Sequence, residues 1–289
     1  MRSRDLPELP EGKYRIERLI GQGGMGSVYA GRDSSLNRPV AIKVIRPELV
    51  RDPASHQRFL REIQTLARLQ HPAIVAVFDC GVMKSGAPYL VMELVRGVDL
   101  RRELESEGPL DALRVTRILV TVCEAMEAAH REGILHGDLK PENILLPDDG
   151  VEAKVLDFGV ASAIRGEREA ADAMPGRASS AGASVDVPIV GTPAYMAPEQ
   201  LRGQPPDSRT DVFSLGVIAY EMLCGALPFG GGSVAEVALA QARGVAFDGL
   251  EPPALARAVA AALAFDADRR PVGAQALAHL IGAAAAGLQ

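Results

Sequence analysis

The chain has 289 residues, 47% hydrophobic and 24% charged, with a formal net charge of -6. That length holds one large domain or two lobes with separate cores, and the acidic balance argues against a general affinity for nucleic acid. Three cysteines, Cys80, Cys123 and Cys224, stand far apart with no CxxC pair, which argues against a disulfide framework or a zinc site and fits a reducing cytoplasm.

The start, MRSRDLPELPEGK, lacks the apolar core of a secretion signal and reads as a tail over 1–12. No run of about 18 apolar residues occurs, so no membrane span is expected; anchoring would need a longer parent protein. YRIERLIGQGGMGSVYAGRD holds two alternating runs around a glycine-rich turn, and RPVAIKVIRP is a third strand with Val40, Ile42 and Val44 alternating. SHQRFLREIQTLARLQ is helical, with Phe59, Ile63, Leu66 and Leu69 on one apolar stripe. AIVAVFDCG and PYLVMELV return to strand, and strands joined by tight turns favour an antiparallel sheet.

From about Gly97 the character turns helical. DALRVTRILVTVCEAMEAAHREG carries Val115, Ile118, Leu119, Val122, Met126 and Ala129 at helical spacing and ends on Gly133, a C-cap residue. DVFSLGVIAYEMLCG, SVAEVALAQARG, PALARAVAAALAFD and GAQALAHLIGAAAAGL follow as further helices. The predicted layout is a small β-rich lobe over 13–95, a connector near 93–97, and a larger helical lobe over 96–289. Residues 165–187, rich in Ala, Gly and Ser, read as a mobile insert.

Four stretches carry chemistry. GQGGMGSVY sets Gly21, Gly23, Gly24 and Gly26 between two strands. Glycine lets backbone N–H groups approach a phosphate unobstructed, yet an ordinary hairpin turn reads equally well. No Gly-Lys-Ser/Thr follows, and a strand follows rather than a helix, so neither a P-loop nor a dinucleotide turn fits. Lys43 in VAIK sits in an apolar strand, where an ammonium is costly unless it meets an anion or snorkels to the surface; Glu62 on the next helix is placed to orient it. In HGDLKPEN, Asp138 and Asn143 lie five apart on a loop that Pro141 keeps non-helical, and Asp157 ends the strand of AKVLDFG. Each acid alone reads as a solvated loop residue; together they supply a base, a cation and hard oxygen ligands for Mg²⁺.

The ordered set of glycine loop, VAIK, HxDLKxxN, DFG, GT and APE resembles the bacterial branch of the eukaryotic-like (Hanks-type) Ser/Thr protein kinases over residues 13–283. The resemblance implies an α+β, bilobal protein-kinase fold with one main helix in the small lobe and an ATP cleft between the lobes. It implies ATP and Mg²⁺ as cofactors, with Mn²⁺ as an alternative. Backbone around Gly21 to Gly26 would cover the phosphates, and Lys43, held by Glu62, would bind them. Asp138 would take or orient the acceptor proton, Lys140 would neutralise the moving phosphoryl group, and Asn143 and Asp157 would hold the metal. Ile20, Val28, Ala41 and Leu145 would wall the adenine, the Glu93–Val95 backbone would bond its edge, and Met92 would limit the depth. Thr192, in the activation segment 157–199, would bond Asp138 and Lys140. Glu199 would pair with Arg270, and Asp211 would hold the catalytic-loop backbone, both as structural contacts.

The expected partners are proteins with Ser or Thr acceptors, this chain included, with self-association typical of the family. The expected location is the cytoplasm. One position departs from the family pattern. Gly137 stands where regulated relatives carry an Arg that clamps a phosphate on the activation segment, so dependence on such a phosphate should fall. Glycine should also loosen the loop by roughly 0.5–1 kcal/mol against Ala. Ser179, Ser180 and Ser184 in the insert remain candidate phosphorylation marks. A nucleotide-binding pseudokinase is the rival reading, and a small-molecule phosphotransferase the third; GTPAYMAPEQ, read as a peptide shelf, favours the protein kinase.

Overall fold

A computed structural model describes residues 9, 12–50, 53–158, 192–247 and 250–285. The insert 165–187, with Ser179, Ser180 and Ser184, and most of the tail 1–12 lie outside the described residues. The chain divides into two units.

The first unit is a five-stranded antiparallel sheet in the order β1-β2-β3-β5-β4: β1 Tyr14–Gly23, β2 Gly26–Asp33, β3 Arg38–Ile45, β4 Val77–Val82 and β5 Pro88–Glu93. One face carries the predicted alternating residues. Val40 and Ile42 pack there with Tyr14, Met83, Ala87, Tyr89 and Val91, and Val44 lies against them. Leu9, read from sequence as part of a tail, belongs to the same cluster. Helix α1, Pro53–Leu66, buries Phe59, Ile63 and Leu66 as its stripe predicts. Leu69 is buried too, but just past the turn that follows the helix.

The second unit holds, among the described residues, α2 Leu100–Glu107, α3 Ala112–Arg131, α4 Pro198–Leu201, α5 Ser208–Cys224, α6 Val234–Arg243, α7 Pro253–Ala262 and α8 Ala274–Ala285. A small sheet of β6 Gly97–Asp99, β7 Ile144–Pro147 and β8 Lys154–Val155 completes it. Ala73 and Ile74, read as the start of a first-lobe strand, belong here instead: Val155 donates to the Ala73 carbonyl (2.8 Å) and bridges Ile74 in parallel. Helix α5 is buried on nearly every side, as an apolar-all-round helix must be. Asp207 caps its start, and Gly225, left-handed at φ 68°, ends it. The α3 apolar positions are all buried; Glu132 caps that helix, and the predicted Gly133 follows it at φ 73°. Among the described residues, no helix is long and apolar enough to cross a membrane.

Candidate active site

The first unit gathers the predicted nucleotide residues by strand register. Directly opposed residues in an antiparallel pair share a face. Val28 opposes Lys43, Lys43 opposes Leu90, Ala30 opposes Ala41, and Ala41 opposes Met92. Val28, Ala41, Lys43 and Met92 therefore lie on one face, opposite to the core cluster of Val40 and Ile42. Gly21 opposes Val28, and Ile20 falls in the register shift just before it. Lys43 is 5% exposed, so its aliphatic stem is packed away from water. Glu62 lies on α1, but its side chain is outside the described residues.

The four glycines of the β1–β2 turn are not equivalent. A Cβ on Gly26 would stand 2.0 Å from the Val44 carbonyl oxygen, so the sheet itself requires glycine there. A Cβ on Gly23 or Gly24 would meet nothing within 4 Å, and one on Gly21 only Val28 Cβ at 3.9 Å. None of these three has a positive φ. Neither backbone nor packing accounts for glycine at 21, 23 and 24. A turn with open space where side chains would stand suits the close approach of a phosphate chain. At the far end of the sheet the Glu93 N–H donates to the Ala76 carbonyl (2.9 Å), so it is not the group that meets an adenine edge.

The second unit builds the catalytic loop around one buried carboxylate. Asp211 on α5 accepts the Gly137 N–H with Oδ1 (2.8 Å) and the His136 N–H with Oδ2 (2.9 Å). His130 Nε2, at the end of α3, reaches the same Oδ2 at 2.8 Å. Burial alone would push the Asp211 carboxyl up. The His130 bond and the loop N–H groups outweigh it and hold the carboxyl below its ordinary range. The His136 ring then joins two further segments. Its Nε2–H donates to the Leu156 carbonyl (3.0 Å), and its Nδ1 accepts the Asp138 N–H (3.3 Å). Leu156 N–H in turn donates to the Asn143 carbonyl (2.8 Å), and the β7–β8 pairing sets Ile144 opposite Val155.

These bonds collect the predicted groups. Lys140 Nζ lies 3.1 Å from Asp138 Oδ2, and the Asn143 amide donates to the Asp138 carbonyl at 2.8 Å. Asp157 follows β8 in the left-handed region at φ 59°, a sparsely populated conformation for a non-glycine residue. Leu145 lies half-buried on β7 in this unit. Thr192 is not brought to its predicted partners: it is exposed, and among the described residues its hydroxyl bonds neither Asp138 nor Lys140.

Gly137 adopts a backbone conformation that favours glycine. Its φ is 70°, where an L side chain is strained and glycine is not. Glycine thus fits the conformation that the loop adopts.

Residues 14–271 match the protein kinase domain. The chain belongs to that family. It is 42% identical over 236 residues to the serine/threonine-protein kinase PknB of Mycobacterium tuberculosis, covering 80% of this chain and 35% of that protein. The probable PknB of Corynebacterium glutamicum is 41% identical, with 78% and 33% covered. The chain thus spans about a third of the length of the curated relatives it matches. The Mycobacterium tuberculosis PknI kinase domain superposes with a TM-score of 0.72 at 25% identity, covering 94% of this chain and 96% of that one. These relatives place it in the bacterial Hanks-type Ser/Thr branch, with the bilobal α+β fold of protein kinases.

The donor set suits a divalent metal ion that arrives with phosphate. Among the described residues no group of three or more His, Cys, Asp and Glu could hold a metal unaided. Mg²⁺ characteristically takes one or two protein oxygens and completes its shell with water and phosphate. Asn143, whose amide nitrogen is held by the Asp138 carbonyl, keeps its Oδ1 for such a role, and Asp157 supplies a carboxylate.

Sequence reasoning missed several supporting residues. Ser214 Oγ donates to the Tyr195 carbonyl (2.9 Å), Gln241 Nε2 to the Met196 carbonyl (2.8 Å), and Gln200 Nε2 to the Gly137 carbonyl (3.0 Å). Arg101 on α2 binds Glu221 Oε1 (2.8 Å) and Tyr195 Oη, and Tyr195 Oη donates to Glu221 Oε2 (2.6 Å). Each joins positions far apart in the chain, and only a buried polar residue in an apolar helix, such as Glu221, could have hinted at it.

Proposed function

We propose that the chain is an active protein kinase that transfers the γ-phosphate of ATP to Ser or Thr hydroxyls of proteins, its own included. The observation that carries this reading is the catalytic loop, where Asp138, Lys140 and Asn143 meet with Asp138 held at its backbone from both sides. Asp138 orients the acceptor hydroxyl and takes its proton. Lys140 places positive charge beside the same oxygen, where charge builds on the moving phosphoryl group. The backbone of the glycine turn covers the phosphate chain, and the Lys43 ammonium binds its oxygens. Asn143 and Asp157 hold Mg²⁺, which when bound supplies charge neutralisation at the phosphate oxygens. Val28 and Ala41 offer apolar contact to the base, Met92 limits its depth, and the Val95 backbone bonds its edge.

Activity in this reading does not require a phosphate clamped at position 137. Gly137 has no donor side chain, and its N–H and C=O are committed to Asp211 and Gln200.

The test is transfer from Mg-ATP to a generic basic protein and to the chain itself, followed by phosphoamino-acid analysis. Wild type should label Ser and Thr, and Asp138→Asn should lose activity by about 10²–10⁴-fold. Equal labelling by the variant, or none by wild type, overturns the reading. In the same assay, phosphatase-treated protein should keep its rate within about threefold, below the roughly tenfold that losing one charge-assisted bond of about 1.5 kcal/mol corresponds to. Collapse to background overturns phosphate independence.

A further inference from the structure

The sequence marks Pro193–Gln200 only as a motif, yet the structure ties this segment down at successive backbone groups. The Tyr195 carbonyl is held by Ser214 from α5, and the Met196 carbonyl by buried Gln241 from α6. The Ala197 N–H donates to Gln200 Oε1 at 2.9 Å. The other end of that same amide leaves the segment: Gln200 Nε2 donates to the Gly137 carbonyl at 3.0 Å.

The Gly137 carbonyl belongs to the peptide unit that leads into Asp138. The N–H at the opposite end of this unit is the one His136 Nδ1 accepts. The plane before the proton acceptor is therefore fixed at both edges, by His136 on one and Gln200 on the other. Asp211 fixes the preceding N–H. Of these three supports, only Gln200 is itself bonded to the Pro193–Gln200 segment.

We infer that Gln200 is a positioning residue. Its single amide sets the Gly137–Asp138 peptide against the segment that presents the acceptor chain, so that hydroxyl and base are aligned by one rigid group. This rests on the Ser/Thr kinase reading above. The chemistry demands glutamine: one group must accept at one end and donate at the other. Glutamate accepts but cannot donate, methionine does neither, and asparagine is a methylene too short. The glycine at 137 belongs to the same device, since at φ 70° its carbonyl is offered to Gln200 without side-chain strain.

The experiment compares wild type, Gln200→Glu and Gln200→Met by amide hydrogen exchange and by steady-state kinetics. Gln200→Glu keeps the acceptor for Ala197 and removes the donor for Gly137; Gln200→Met removes both. Exchange at His136, Gly137 and Asp138 should speed up about tenfold in both variants, while Ala197 loses protection only in Gln200→Met. The kcat for protein transfer should fall about tenfold in both, with the KM for ATP unchanged. A residue that merely capped α4 would leave Gln200→Glu like wild type. Unchanged exchange at 136–138 in both variants, or a wild-type kcat in Gln200→Glu, overturns the inference. Should wild type transfer no phosphate, the kinase reading fails, and the exchange comparison still decides whether Gln200 couples the two segments.

Discussion

Replacing Asp211 with Asn removes a charge and little volume, so its consequences fall on the bonds alone. In the wild type both carboxylate oxygens face donors: Oδ1 takes Gly137 N–H, and Oδ2 takes His136 N–H and His130 Nε2. The variant has one oxygen, and its NH₂ must point at a donor whichever way it turns. At least one charge-assisted bond of about 1.5–3 kcal/mol is lost, and a buried donor is left unsatisfied at a further cost of about 1–3 kcal/mol. With Asp211 fully buried, relaxation into water does not recover this, and the expected loss is about 3–4 kcal/mol by urea unfolding at pH 7. The pH dependence adds a second signature. The folded carboxyl titrates below its ordinary value of 3.8. Its contribution is therefore complete above that value and is lost as pH falls through the lower, folded-state value. The gap between wild type and Asp211→Asn should be flat near neutrality and narrow below pH 3.8. In kinetics the loop loses its anchor, so kcat should fall by at least tenfold while ATP still binds. A stability loss under about 1 kcal/mol at pH 7, or a gap constant into the acid range, would refute this account of the loop.

Two further outcomes follow from the same kind of reasoning. Arg270, wholly buried, forks onto Glu199 (2.7 and 2.9 Å) and also donates to the Ala264, Phe265 and Arg209 carbonyls. Arg270→Met should cost about 3–5 kcal/mol in urea unfolding, because it strands Glu199 and these carbonyls. Burial would push the Glu199 carboxyl up, but the guanidinium holds it below 4.5, so this contribution is present above 4.5 and lost on acidification through the lower folded value; Arg270→Met should erase that acid-side slope. On the glycine turn, Gly24→Ala should leave the melting temperature unchanged and raise the KM for ATP several-fold, whereas Gly26→Ala should destabilise the sheet by about 1–3 kcal/mol, read as a lower melting temperature. Equal effects at both positions would remove the argument from open space.

Much of the architecture was legible because it is written in local period. Alternation at Val40, Ile42 and Val44 and the stripe of Phe59, Ile63 and Leu66 needed no distant partner to be read. β6 and α2, within GVDLRRELESEG, escaped because three strand residues and two helical turns hold too few apolar positions to set a period. Ala73 and Ile74 read as a continuation of β4, and only the bond from Val155 shows otherwise. The catalytic residues were found through their motif, which states which groups are present but not what orients them. His130 to Asp211 and Gln200 to Gly137 span 81 and 63 positions, and no local pattern encodes a pairing of that kind.

Gly137 shows how such long-range bonds change the meaning of a residue. Judged alone, a glycine beside a catalytic Asp adds chain entropy and should soften the loop. At φ 70°, however, any L side chain would have to be forced into place at a cost of about 1–2 kcal/mol, which the bonds to Asp211 and Gln200 would have to offset. Glycine removes that strain and leaves both neighbouring peptide groups committed. Position 137 thus carries no donor side chain, and its left-handed backbone is unstrained. In the reading proposed above, a loop relieved in this way has less need of an external charge to hold it, and the rate of phosphatase-treated protein measures that directly.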